Sequence, residues 1–254
     1  MLNINVIAPD ELTIESKFKF RCYPGISCYK SCCKNIDIML TPYDILRLKN
    51  RFDISSGEFL MNYTYVFIKP KSGYPFIFLN KNNDEEMTCP FLCEAGCSVY
   101  EDRPATCRYY PVGQASLKKF DLTDGITDEV YFFVKEPHCK GFQEDKEWSV
   151  AEWRKDQGVD LYDDMNRGWK ELFFKKNLKA DKIDEKKQKA FYTACYDIDA
   201  FKRFVFESRF MDVFDVPQER IEKMKKDEVE LLNFAFDYVK FLLMIKETLK
   251  IKKS

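Results

Sequence analysis

Apolar positions in the stretch after Thr41 recur at helical spacing. Ile45 and Leu48 share one face, Thr41 can cap the helix, Pro42 suits its first turn, and Asp44 favours its N-terminal end. Directly downstream, the run 55–58 offers a second capping box, Ser-Ser-Gly-Glu, ahead of further apolar residues. The pattern predicts two short helices in succession.

The segments that follow are rich in residues that favour β-strands. Tyr65–Lys69 and Tyr74–Leu79 are separated by Pro70–Gly73, a turn-forming run, and Val130–Val134 is a further strand candidate. We expect these strands to form a small sheet beside the cysteine-bearing loops.

The pattern changes beyond Cys139. Ser149–Glu152 is another capping box, and from Trp153 onward Gly and Pro are scarce. Apolar residues continue at mixed spacings of three and four from Asp215 to Ile245, which indicates core-facing helix. The last residues, 250–253, are basic and are predicted to fray in solvent.

Together these elements predict an α+β protein. It would comprise a small cysteine-rich metal-binding module with short helices and a small sheet, followed by a mainly α-helical C-terminal region. The expected divisions are an N-terminal segment at 1–20, the cysteine-cluster module at 21–148, and the helical region at 149–254 packed on it.

Composition narrows the classes of function. The 254 residues carry 41 basic and 42 acidic side chains, so the chain has no overall charge with which to attract nucleic acid or anionic lipid. No stretch resembles a transmembrane helix, and the acidic residues of the first sixteen positions are unlike a signal peptide. We therefore expect a cytoplasmic protein without nucleic-acid or membrane partners.

The chain has one histidine, His138. Sites that need two or three imidazoles, such as tris-His zinc hydrolases and the 2-His-1-carboxylate iron site, cannot be built from one chain. A Cys-His or Ser-His catalytic pair would have to use this residue.

The ten cysteines are strongly clustered. They are arranged as Cys22-x5-Cys28-x3-Cys32-Cys33, then Cys89-x3-Cys93-x3-Cys97-x9-Cys107, then Cys139, with Cys195 far downstream. A disulfide framework would suit a small secreted domain, and a buried apolar thiol would suit Cys195. Short loops whose thiols converge from distant segments are typical of zinc or iron–sulfur binding, which is the favoured interpretation.

Two local features refine this prediction. Cys32 and Cys33 are adjacent, so their side chains diverge, and if both bind they serve two ions or two irons of one cluster. Several thiolates accumulate negative charge, and Arg103 and Arg108, which flank Cys107, are the best candidates to offset it. Lys30 and Lys34 are more simply explained as solvated charges.

Two sequence blocks resemble a known family. The first contains Phe20-Arg21-Cys22, Cys28-x3-Cys32-Cys33, Leu40-Thr41-Pro42-Tyr43-Asp44-Ile45 and Glu58-Phe59-Leu60; the second contains Cys89-Pro90-Phe91-Leu92, Cys97-Ser98-Val99-Tyr100-x2-Arg103-Pro104-x2-Cys107-Arg108-Tyr109-Tyr110-Pro111 and Cys139-Lys140-Gly141-Phe142. Over about residues 20 to 155 the chain is similar to the cysteine-cluster proteins of the YkgJ type, described as zinc- or iron-chelating, a family that also includes flagellin lysine N-methylases.

The resemblance implies a metal-ligand set. The matching cysteines are Cys22, Cys28, Cys32, Cys33, Cys89, Cys97, Cys107 and Cys139. The spacing Cys22-x5-Cys28-x3-Cys32-Cys33 of this chain is longer than the family spacing C-x2-C-x2-C-C, and Cys93 has no counterpart in the family motif.

Three functions follow as hypotheses. The first is a cytosolic protein that chelates iron, as an iron–sulfur cluster, or zinc. The second is an iron–sulfur-dependent protein-lysine methyltransferase with a protein substrate, although neither C-x3-C-x2-C nor G-x-G-x-x-G occurs in the sequence. The third is an interaction module whose zinc is purely structural.

Overall fold

The computed structural model describes residues 12–117, 128–173 and 182–252. The first eleven residues of the predicted N-terminal segment and Lys253 of the basic end lie outside these ranges. The helices are α1 (Pro42–Phe52), α2 (Ser56–Tyr63), α3 (Ala105–Tyr109), α4 (Val150–Gln157), α5 (Val159–Glu171), α6 (Glu185–Cys195), α7 (Ile198–Glu207), α8 (Phe210–Val213), α9 (Gln218–Lys226) and α10 (Glu228–Leu242).

The strands are short. They are β1 (Lys17–Lys19), β2 (Met39–Leu40), β3 (Thr64–Ile68), β4 (Pro75–Leu79), β5 (Leu92–Cys93), β6 (Gly96–Cys97), β7 (Val112–Leu117), β8 (Asp128–Phe133), β9 (Glu147–Ser149), β10 (Phe214–Asp215) and β11 (Lys250–Ile251). The sheets they form have two or three strands, and with the helices they confirm the predicted α+β class. Within the described ranges, no helix combines the length and the apolar character that crossing a bilayer requires.

Contacts divide the chain into two compact units. The first comprises the described residues up to Ile38 and the stretch Asn80–Leu161, and the second comprises Met39–Leu79 and the described residues from Tyr162 onward. The clustered cysteines all belong to the first unit, and Cys195 belongs to the second. The boundary predicted at 148/149 stays a prediction.

An aromatic core supports the first unit. β1 pairs with β9 and β7 pairs with β8, both antiparallel. The sheets bury Phe18, Phe20 and Trp153, whose rings meet edge to face at centroid distances of 5.4 Å between Phe20 and Trp153 and 6.1 Å between Phe18 and Trp153. The Trp153 indole N–H donates to the Tyr109 carbonyl at 3.2 Å, so α4 is fixed against the end of α3.

The second unit contains the predicted N-terminal helices and a three-stranded sheet in the order β2-β4-β3. Thr41 and Asp44 form the expected capping box at α1, and Ser55 caps α2 by accepting from the Glu58 amide. The two predicted strands of this region pair antiparallel, with Val66 opposite Ile77. The third predicted strand does not join them, because β8 pairs with β7 in the first unit.

Two details of the C-terminal region differ from expectation. The apolar pattern after Asp215 is divided into α9 and α10 at Asp227, whose side chain accepts from the Val229 amide and so starts the second helix. The basic end does not fray at Lys250–Ile251, because these residues pair with Phe214–Asp215 as β11 and β10. Leu249, the preceding residue, is buried.

Candidate metal centre

The two main cysteine blocks are joined by backbone hydrogen bonds. The Cys89 amide donates to the Cys33 carbonyl at 2.8 Å, and Lys34 and Thr88 form an antiparallel bridge. Cys32 and Cys33 lie in a short 3-10 helix that ends at this junction. All ten cysteines are free thiols, six of them partly buried.

A first group of thiols is formed by Cys22, Cys28, Cys32 and Cys139. Cys22 is exposed at the surface, but surrounding protein partly desolvates its thiol, and this desolvation, with the charges of Cys32, Cys28 and Cys139, raises its pKa to about 11. Burial also raises the pKa of Cys139, to which Cys28 and Cys32 contribute. These mutual effects indicate that thiols from two segments, the stretch between β1 and β2 and the stretch between β8 and β9, lie near one another.

A second group comprises Cys89 and Cys97, and it meets the first at Cys32. Burial raises the pKa of Cys89 to about 11, with contributions from Cys97 and Cys32. A hydrogen bond with Cys33 is the main reason why the pKa of Cys32 lies far above its ordinary value, followed by burial. Cys32 therefore interacts with members of both groups.

The remaining cysteines are placed differently. Cys93 is exposed at the end of β5, opposite Gly96 in the β5–β6 hairpin, although its charge affects Cys97. Cys107 is partly buried in α3, where its charge acts on Arg103. Cys195 is fully buried, as the apolar-thiol interpretation predicts, and burial raises its pKa well above the ordinary value.

Arg103 and Arg108 are both buried, each 8% exposed. Arg103 lies over the Tyr100 ring at 4.0 Å and donates to the Gln157 side-chain oxygen at 2.6 Å. Arg108 donates to three backbone carbonyls, those of Arg103, Gln157 and Glu101. These bonds tie the Cys107 segment to the end of α4.

The charge of Arg103 also reaches the thiols. It lowers the pKa of Cys97, opposing the larger effect of burial, and it lies near Cys107. A positive charge in this position is of the kind that a thiolate-rich site needs. The action of either arginine on a bound metal stays a prediction.

Sequence reasoning did not select Tyr110 and Glu136. The Tyr110 hydroxyl is buried without a nitrogen or oxygen hydrogen-bond partner and lies against the Cys139 thiol. The Oε2 atom of Glu136 is also buried and makes no hydrogen bond, although Nε2 of His138 lies 3.1 Å away. The only available signal was the position of Glu136 shortly before Cys139.

The donor chemistry of this region fits zinc or iron. Soft thiols converge from several loops, and buried oxygen atoms beside them lack hydrogen-bond partners. Across residues 12–117, 128–173 and 182–252, however, no set of three or more His, Cys, Asp or Glu side chains is grouped as a metal ion requires. Binding therefore requires the thiols to rotate towards one another and to lose their protons.

Comparison with family models gives an independent result. Residues 21–144 match the model named CxxCxxCC, described as a putative zinc- or iron-chelating domain. There is no significant match to a curated protein or to a solved structure. The match includes both cysteine blocks, Cys139, Arg103 and Arg108, and it confirms the resemblance inferred from the sequence. Residues 21–144 of this chain are therefore similar to the CxxCxxCC family, described as a putative zinc- or iron-chelating domain.

Proposed function

We propose that this protein binds iron as an iron–sulfur cluster, with zinc as the alternative metal. The proposed ligands come from the motif cysteines Cys22, Cys28, Cys32, Cys33, Cys89, Cys97, Cys107 and Cys139. The observation that supports this most directly is the convergence of two thiol groups on Cys32, whose thiol is hydrogen-bonded to that of Cys33.

The arrangement favours a centre with more than one metal atom. A single closed zinc site or one cubane cluster needs about four thiolates. The eight motif cysteines exceed that number. The thiols of Cys32 and Cys33 share a hydrogen bond, contrary to the divergence expected of adjacent side chains, so they can serve neighbouring metal atoms. Two irons of one cluster would satisfy this arrangement.

The surroundings are suited to thiolate ligands. The Lys140 amide donates to the Cys28 sulfur at 3.2 Å, and such N–H···S hydrogen bonds stabilise negative charge on sulfur. With one histidine in the chain, a thiolate-rich centre suits redox, cluster or structural chemistry better than zinc-hydroxide hydrolysis. A cytoplasmic location, where thiols stay reduced, is part of this proposal.

The test is anaerobic purification followed by metal analysis, acid-labile sulfide analysis and a visible absorption spectrum. Iron with sulfide and a charge-transfer spectrum are expected. A colourless protein with stoichiometric zinc would support the alternative metal. Motif cysteines paired as stable disulfides in protein taken from reducing cytoplasm would contradict both.

The other two hypotheses are separable by further measurements. The methyltransferase hypothesis rests on the family resemblance, and transfer of a methyl group to protein lysines is its test. If the metal is purely structural, its removal should unfold the cysteine-bearing unit, whereas a redox or catalytic centre could lose metal with the fold largely intact.

A further inference from the structure

The structure points to a carboxylate in a centre whose sequence motif contains only cysteines. We propose that the side chain of Glu136 is an oxygen ligand of the bound metal, alongside the thiolates of the first group. This inference rests on the proposed function, because it requires that the cysteines bind a metal.

The first observation is an unsatisfied buried acceptor. The Oε2 atom of Glu136 is buried without a hydrogen bond, whereas buried acceptors in folded proteins are almost always satisfied. Leaving such an atom unpaired destabilises the folded chain, and more so when the group is charged. A cation at this position would remove that destabilisation.

The second observation is where the carboxylate lies. Its charge acts on Cys32, the thiol shared by both groups, and on Tyr110, whose hydroxyl lies against Cys139. A carboxylate beside several thiolates is repulsive unless a positive charge lies among them. The same cation that binds the thiolates would bind the carboxylate.

The third observation is an open cleft beside these residues. It has a volume of about 540 Å³, and its lining includes Glu136, Cys139 and Phe133. A carboxylate and a thiol that both face this cleft would leave the metal accessible from solvent on that side. Because this cleft connects the carboxylate and the Cys139 thiol to solvent, we expect this side to be where metal enters.

The competing explanation is a structural ion pair with His138. Nε2 of His138 lies 3.1 Å from Oε2, but the two atoms do not form a hydrogen bond. The His138 side chain is 41% exposed, so an ion pair there contributes little to stability.

The experiment uses the reduced full-length chain loaded with zinc alone. X-ray absorption at the zinc edge reports the ligand atoms of the wild-type chain, and competition with a chromophoric chelator measures affinity. The variant is Glu136→Gln, which keeps the size of the side chain and removes its charge. Its matched control is Glu147→Gln, since Glu147 is an exposed carboxylate that pairs with Lys17.

We expect wild-type spectra with an oxygen scatterer in addition to sulfur. Zinc affinity should fall about 10- to 100-fold in Glu136→Gln and stay unchanged in Glu147→Gln. A sulfur-only shell in the wild-type chain, or equal affinities in both variants, would overturn the role of Glu136 while leaving metal binding by cysteines intact. A wild-type chain that binds neither zinc nor iron would overturn the proposed function and this inference together.

Discussion

The hydroxyl of Tyr29 occupies the space that a side chain at Gly96 would need. A β-carbon at Gly96 would lie 2.5 Å from the Tyr29 hydroxyl oxygen, and Gly96 has a φ of +126°. Tyr29 also donates to the Ala95 carbonyl at 3.3 Å, and Lys30 donates to the Glu94 carbonyl at 3.0 Å. The hairpin that carries Cys93 and Cys97 is thereby held against the loop that carries Cys28.

Gly96→Ala should separate these two cysteine loops. We expect the free energy of unfolding to fall by about 1–3 kcal/mol more than in Gly25→Ala, because the new methyl group must displace Tyr29. Gly25 is a matched control, since it has a similar φ of +109°, but a β-carbon there would have no atom closer than 3.9 Å. Urea unfolding of the two variants measures the difference, and equal losses would show that backbone strain alone accounts for the effect.

Local elements of the fold were predictable from the sequence. The capping boxes at Thr41 and Ser149 involve residues three apart, so the hydrogen bonds they predict are set by local geometry, and both form. The β10–β11 pair was not predictable, because residues 214–215 and 250–251 are brought together by the fold and have no turn sequence between them.

The candidate centre likewise has a part that the sequence predicts and a part that it does not. Motif spacing indicated which cysteines belong together, and the structure brings thiols from several loops near Cys32. Glu136 could not be found in this way, since a single carboxylate in a loop is common and only its burial without a hydrogen bond distinguishes it.

Cys32→Ser should reduce metal content more than Cys93→Ser does. Cys32 interacts electrostatically with thiols of both groups, so its loss removes a ligand at their junction. Cys93 is exposed at the end of β5 and is not a motif cysteine, which makes it a control for the same chemical change. Metal analysis after anaerobic purification decides the matter, and similar metal loss in both variants would contradict the central place of Cys32.

Cys107→Ser tests whether Cys107 belongs to the ligand set. Cys107 matches a motif position and lies near Arg103, so we predict lower metal content in this variant. Cys195→Ala is the comparison, because Cys195 is fully buried in the other unit and should not affect the metal. If Cys107→Ser retains all its metal, the ligand set implied by the family pattern is too large by this residue.

Arg108→Lys should destabilise the cysteine-bearing unit. Three guanidinium nitrogens donate to the carbonyls of Arg103, Gln157 and Glu101, and a lysine ammonium cannot reproduce this planar arrangement. Leaving buried carbonyls unsatisfied predicts a loss of about 1–3 kcal/mol. Thermal or urea unfolding measures this loss. The control is Arg209→Lys, because the Arg209 side chain is 91% exposed. An equal loss of stability in both variants would contradict the structural role of Arg108.

Zinc binding should release protons and strengthen as the pH rises. Burial and neighbouring thiols raise the pKa of Cys22 and of Cys89 to about 11, so both are protonated thiols at neutral pH in the metal-free chain. Metal binding requires thiolates, so each coordinating thiol gives up a proton, and affinity gains about tenfold per pH unit for each such proton.

Calorimetric titration with zinc in buffers of different ionisation enthalpy counts the released protons. Because the thiol pKa values are raised rather than lowered, zinc affinity should keep rising with pH across the whole range from about pH 6.5 to 8.5 instead of levelling off near neutrality. Cys22→Ser should release one proton fewer than the wild-type chain if Cys22 is a ligand, whereas Cys93→Ser should release the same number. Zinc affinity that is constant over this range would mean that the coordinating thiols are already ionised in the metal-free chain. The raised pKa values of Cys22 and Cys89 would then be wrong.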